Sequence, residues 1–104
     1  MWAQLIRTRV KDGSGEEGLR QLFQQLRDAE HADSGLVRTL VMHEQHDPNS
    51  VLMLVVFESE EKARARENDP RRADGLAAAR ATMAEIFDGP PSFTDFVVVN
   101  EYTG

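Results

Sequence analysis

Apolar and polar positions follow two different periods along this chain. Residues 2–10, WAQLIRTRV, put Trp2, Gln4, Ile6, Thr8 and Val10 on one side, the period-two pattern of a strand. Lys11-Asp12-Gly13-Ser14-Gly15 supplies turn residues, and Ser14 with Glu17 three positions on predicts a capping box. Leu19, Leu22, Phe23, Leu26 and Ala29 then recur at helical spacing, which predicts an amphipathic helix over 16–31, stopped at Ser34-Gly35. Leu36 to Glu44 reads as a second strand. Asp47-Pro48-Asn49-Ser50 has turn chemistry and predicts a hairpin into a third strand, whose core Val51–Phe57 is apolar at every position.

After Phe57, Ser59 is placed to cap a helix that carries Glu60 and Glu61 in its first turn, the charge the helix dipole favours there. Asp69-Pro70 interrupts that helix, because proline lacks an amide hydrogen; Asp69 then caps a restart with Pro70 in the first turn. Leu76, Ala79, Met83 and Ile86 or Phe87 line one face of the restarted helix, Asp88-Gly89-Pro90-Pro91 ends it, and Phe93 to Tyr102 predicts the last strand. The order is β-α-β-β-α-β: one α+β domain over 1–104, ferredoxin-like, with a four-stranded antiparallel sheet.

In such a split arrangement the right-handed crossovers put the first and third strands in the middle of the sheet and both helices on one face. The other face is then bare. Because side chains alternate sides, Val51–Phe57 is greasy on both. Its far side alone carries three or four large apolar groups, and exposing them forfeits roughly 5–10 kcal/mol of a typical domain stability of about 5–15 kcal/mol. Nothing left in the chain covers that face, so a homodimer packed sheet to sheet is expected. Val97, Val98 and Val99 form a second two-faced run.

Composition narrows the class. A net charge of −6 opposes binding to nucleic acid, since Arg64, Arg66, Arg71 and Arg72 are interleaved with Glu60, Glu61, Glu67, Asp69 and Asp74 and read as a solvated helix face. An RNA-recognition domain shares the element order, but VLMLVVF lacks the glycine and basic residues of its third strand. No stretch is long and apolar enough to span a membrane and no signal peptide is visible. The chain has no cysteine, so neither disulfides nor a thiol nucleophile are available, and a cytoplasmic location is expected.

The passage DPNSVLMLVVFESEEKARA, the Asn-Asp-Pro that follows it, and the closing FTDFVVV resemble the antibiotic-biosynthesis-monooxygenase-like members of the dimeric α/β-barrel superfamily, over nearly the whole length. The resemblance implies that two sheets pack as a barrel and that each subunit holds a pocket between sheet and helices. Its better-understood members include oxygenases of polycyclic phenols that use neither metal nor flavin, and haem-degrading enzymes. Where relatives often carry a tryptophan at the end of the third strand, this chain has Phe57. Where they commonly place a histidine in the next helix, it has Arg64, Arg66 and Glu67. The haem-degrading branch needs an asparagine in the first strand, where this chain reads Leu5-Ile6-Arg7, so haem chemistry is disfavoured.

The resemblance therefore implies a cofactor-independent monooxygenase acting on a small aromatic or polycyclic phenol. The alternative is a non-catalytic dimer of the same fold that binds a small ligand or regulates. The enzyme needs an apolar pocket and a base. His43, near the end of the second strand, is the candidate base, because histidine is the side chain suited to proton transfer near neutrality; the plainer reading is a strand-end histidine in solvent. His46 beside Asp47 reads as surface, and His31 ends the first helix, where its charge would suit the dipole. His43 and His46, three apart on a strand, fall on opposite faces, and no third ligand follows, so no metal site is expected. Trp2 and Phe57 are candidates to line an aromatic cavity, or else ordinary core. Arg7 and Arg38 are candidates to hold a phenolate or carboxylate, with a rim salt bridge as the alternative, and Asn100 carries amide donors suited to a developing oxyanion, or else is an edge-strand surface residue. Gly13-Ser14-Gly15 lacks the lysine of a phosphate loop, and Glu16 and Glu17 would repel phosphate.

Overall fold

The computed structural model describes residues 1–13 and 15–104. The element order is β1 (Trp2–Arg9), α1 (Gly15–Asp28), β2 (Leu36–Glu44), β3 (Asp47–Phe57), α2 (Glu60–Glu67), a 3₁₀ turn (Pro70–Arg72), α3 (Ala73–Ile86) and β4 (Ser92–Val97). The four strands form one antiparallel sheet in the order β2-β3-β1-β4, so β1 and β3 are central as the crossover rule requires. The capping box expected at Ser14 and Glu17 lies outside the described residues. No helix among the described residues is long and apolar enough to cross a membrane.

The two later caps form as their residue types dictate. The Ser59 hydroxyl accepts from the Lys62 amide at 3.1 Å, and the Asp69 carboxylate accepts from the Arg71 amide at 2.9 Å with Pro70 opening the 3₁₀ turn. α1 and α3 pack antiparallel, with Gly18 against Ile86 at one end and Gly75 against Ala29 at the other. A methyl on Gly75 would come within 2.6 Å of the Ala29 Cβ, so glycine is what allows the helices to approach this closely. Leu22, Ala79 and Ile86 from these helices meet Val51 and Met53 of β3, and Val10 just past β1, in the main core. A smaller cluster of Trp2, Val55, Phe57 and Ala63 lies under α2.

Cross-strand partners project to the same side, so the pairings define both faces. Val51, Met53, Val55 and Phe57 face the helices. Leu52, Leu54 and Val56 face away, beside Leu5 and Arg7 of β1, Leu40 and Met42 of β2, and Phe96 of β4. On this far side Leu40, Met42 and Phe96 are 44%, 42% and 46% exposed, and no described segment covers them.

Four expectations shift. The hairpin turn is Gln45-His46, not Asp47–Ser50: Glu44 pairs with Asp47, and Arg9 binds the Asp47 carboxylate at 2.9 Å, which draws those residues into β3. The last strand ends at Val97 rather than Tyr102. The β1–β4 pairing ends at Trp2 with Val97, and one further bond, from the Val98 amide to the Met1 carbonyl, closes it. α1 ends at Asp28, three residues early. The arginines after Phe57 are not all solvated: Arg72 is 4% exposed, and Arg66 grips Glu30 of the α1 end with three short contacts, at 2.6, 3.0 and 3.0 Å.

Candidate functional site

A hollow of about 580 Å³ opens at the end of the sheet where β1 finishes, the β2–β3 hairpin turns and the α3–β4 link passes. Arg7, His43, Met42, Leu52, Glu44 and Asp88 are among the residues that line it. The strand register builds this group. Arg7 pairs with Leu52, which pairs with Met42, so all three share the face away from the helices; His43 pairs with Val51 and sits on the opposite side at the sheet's margin. The His43 Nδ1 lies 3.0 Å from the Glu44 carbonyl oxygen. With Nδ1 donating there, Nε2 is left as the basic nitrogen.

The two arginines of β1 differ. Arg9 is taken: its guanidinium holds the Asp47 carboxyl below the ordinary carboxylate range by a hydrogen bond first and by charge as well. Asp47, helped by Asp88 and Asp12, raises Arg9 in return. Arg7 makes no ion pair among the described residues. It is a free cation at the wall of the hollow.

Trp2 and Phe57 are brought together elsewhere. Their rings lie 6.0 Å apart beneath α2, with the Arg64 guanidinium 5.0 Å over the indole and the Arg66 guanidinium 5.2 Å over the phenyl ring. Arg64 is fixed there by Glu60 at 3.3 Å, Glu67 at 3.0 Å and Asp95 of β4 at 3.0 Å, and Gln4 donates to the same aspartate at 3.1 Å. Two arginine side chains therefore occupy the space between α2 and the sheet. Asn100 is exposed in the segment after β4 and joins neither group.

A second hollow, of about 160 Å³, lies between the Asp33-Ser34 turn and α2. It is too small for a polycyclic ligand, which needs roughly 300 Å³ or more. Its cations are committed, Arg71 to Asp33 and Asp69 and Lys62 to Glu58. Among the described residues no group of three histidine or carboxylate side chains is placed to hold a metal ion.

This arrangement can be set beside known proteins. The profile of the antibiotic biosynthesis monooxygenase family matches residues 1–78, three quarters of the chain. The chain belongs to the antibiotic biosynthesis monooxygenase family. Solved structures agree on the fold. SnoaB, a cofactor-independent oxygenase from Streptomyces nogalater, superposes with a TM-score of 0.72 at 16% identity, over 96% of this chain and 94% of that one. Rv0793 from Mycobacterium tuberculosis gives 0.71 at 14% identity, over 98% of each chain. NE2512 from Nitrosomonas europaea, a protein of unknown function, gives 0.72 at 19% identity, over 99% and 93%. No curated protein matches the sequence. At these identities the likeness carries the fold and leaves the substrate to be argued from this chain's own residues.

Reading the sequence missed Arg9, Asp47 and Asp88 around the hollow. The spacing of Arg7 and Arg9, two apart on a strand and so on one face, was the available signal.

Proposed function

We propose that this family member is a cofactor-independent monooxygenase of a small aromatic or polycyclic phenol, and that it works as a homodimer. The observation that carries the enzymatic reading is the convergence of His43 and Arg7 on one hollow of ligand size, to which Met42, Val51 and Leu52 add an apolar patch. His43 Nε2 would take the phenol proton, and Arg7 would hold the phenolate. The electron-rich ring then reduces dioxygen directly. One oxygen atom becomes the new ring carbonyl and the other leaves as water, with the two hydrogens lost from the ring position and the hydroxyl, so phenol and dioxygen give quinone and water with no outside reductant. Replacing His43 by alanine should lower turnover of an accepted phenol by 10²-fold or more. Full activity in that variant would dismiss His43 as the base.

The homodimer is supported by the open sheet face. Leu52, Leu54 and Val56 of β3 project there, flanked by Leu5, Leu40 and Phe96. Each is worth about 1.5–3 kcal/mol when buried, and a second copy of the same face is the covering whose shape and polarity match.

A second reading has its own support. Relatives of this fold are expected to bind ligands between sheet and helices, and here Arg64 and Arg66 fill the space under α2. That filling suits a non-catalytic dimer that binds a small ligand or regulates. Ligand binding without oxygen consumption in the unaltered protein would favour this reading over the enzyme.

A further inference from the structure

We propose that the hollow is half of a composite site: a second copy closes it, and it takes a planar aromatic monoanion, a carboxylate or phenolate, whose charge pairs with Arg7. The proposal rests on the homodimer reading above and places the ligand on the side of the sheet away from the helices. The register carries the first step. Arg7, Leu52 and Met42 stand side by side on the bare face and all line the hollow, so the hollow opens onto the surface that dimerisation would cover. A lone subunit supplies a floor and one wall; a partner seated on the face supplies the roof.

Symmetry carries the second step. In a two-fold dimer each face meets only its own residues. From Ala3 to Arg7, from Leu52 to Val56, from Arg38 to Met42 and from Ser92 to Phe96, the far-side positions hold Arg7 and Arg38 and no carboxylate. Asp47, at the edge, is already bound to Arg9. Glu44 and Asp88 line the hollow too, but neither lies within ion-pairing distance of Arg7, so covering this face would strip water from an Arg7 that has no partner among the described residues, which is costly for a guanidinium. A ligand anion resolves the conflict, and its ring lies against Met42 and Leu52, with the methionine sulfur a favourable neighbour for an aromatic. Glu44 and Asp88, which also line the hollow, disfavour a second negative charge, so a monoanion fits best.

The test uses 2-naphthoate as the probe, followed by calorimetry and by sedimentation of the full chain. The unaltered dimer should bind it saturably. Arg7→Gln, and the neutral analogue 2-naphthamide in place of the probe, should each weaken binding by at least ten-fold. Leu54→Arg lies on the face but outside the hollow; where it gives a folded monomer, that monomer should bind at least ten-fold more weakly. Should Leu54→Arg fail to fold, the unaltered protein still decides: 2-naphthoate should raise the dimer fraction in dilute samples, because a ligand held by two copies favours their association. Absence of saturable binding, equal binding by the monomer, indifference to Arg7→Gln, or a dimer fraction that the probe leaves unchanged would each overturn the proposal. A protein that sediments as a monomer at every concentration refutes the homodimer itself. None of these readings requires turnover, so a failure to oxidise phenols would leave the composite site standing.

Discussion

Replacing Glu30 by glutamine removes the counter-charge of the most enclosed ion pair in the fold while keeping its shape. Arg66 and Glu30 have side chains only 17% and 19% exposed, and the carboxylate accepts three guanidinium contacts, at 2.6, 3.0 and 3.0 Å. Arg72, almost fully buried, stands close enough for its charge to act on Glu30; burial, and then the neighbouring Arg66, push Arg72 below the usual arginine value. Burial by itself would push Glu30 up. The hydrogen bonds from Arg66 and Ser34, with the charges of Arg66 and Arg72, outweigh it and hold the carboxyl below the ordinary range. Hydrogen bonds to charged groups contribute about 1.5–3 kcal/mol, and removing one partner of a fully buried pair costs about 3–5 kcal/mol. For this partly exposed pair we expect a loss of about 2–3 kcal/mol, a fall of about 10–20 °C in Tm for a domain of this size. Urea and thermal unfolding at one fixed protein concentration measure it. The exposed pair of Arg20 and Glu16, at 3.5 Å, serves as control, and Arg20→Ala should cost less than about 0.5 kcal/mol.

The same pair sets a pH signature. A carboxyl whose folded-state pKa is depressed stabilises the fold above its unfolded pKa, about 4.3 for glutamate, and that contribution fades as pH falls through the folded value. The gap between the unaltered protein and Glu30→Gln should therefore be full at neutral pH and should narrow as pH drops below about 4. A loss no larger than the Arg20→Ala control, or a gap that ignores pH, would refute the reasoning.

Two further substitutions probe other links. Leu54→Arg enters a symmetric interface twice; losing about 1.5–3 kcal/mol per side weakens association by about 10²- to 10⁴-fold, so at micromolar concentration sedimentation should show near twice the 104-residue mass for the unaltered chain and a monomer for the variant, with a monomeric unaltered chain sinking the idea. Gly75→Ala gains about 1 kcal/mol of helix propensity but drives a methyl to 2.6 Å from the Ala29 Cβ and 3.2 Å from its Cα; overpacking of about 1–3 kcal/mol should win, giving a net loss that Ala29→Gly in the same chain partly restores, whereas a more stable Gly75→Ala would show that the helices part easily.

What the sequence made legible was local. The element order, the limits of β2 and the caps at Ser59 and Asp69 depend on residues within a few positions of one another, and each formed as its residue types require. What it hid depends on distant partners. Val98 and Val99 are as strand-prone as any residues in the chain, yet β4 ends where its pairing with β1 ends, at Val97 opposite Trp2. Arg66 and Arg72 sit among acidic neighbours and look solvated, but Arg66 finds Glu30, 36 residues away, and Arg72 is sealed where the ends of α1 and α2 meet the 3₁₀ turn. The hollow was legible only in parts, as a histidine and an arginine on separate strands; the register that brings them to one place is a property of the assembled sheet.

The outer edge of β2 carries a consequence for handling the protein. From Leu36 to Glu44 this strand offers unpaired amides and carbonyls along one margin, with Leu40, Val41 and Met42 beside them and neither lysine nor proline among them. Such a margin invites extraneous strands to dock, and here only Arg38 and the acidic residue at the tip oppose that. Chains made at high level should therefore clump, and Thr39→Lys should raise the soluble yield.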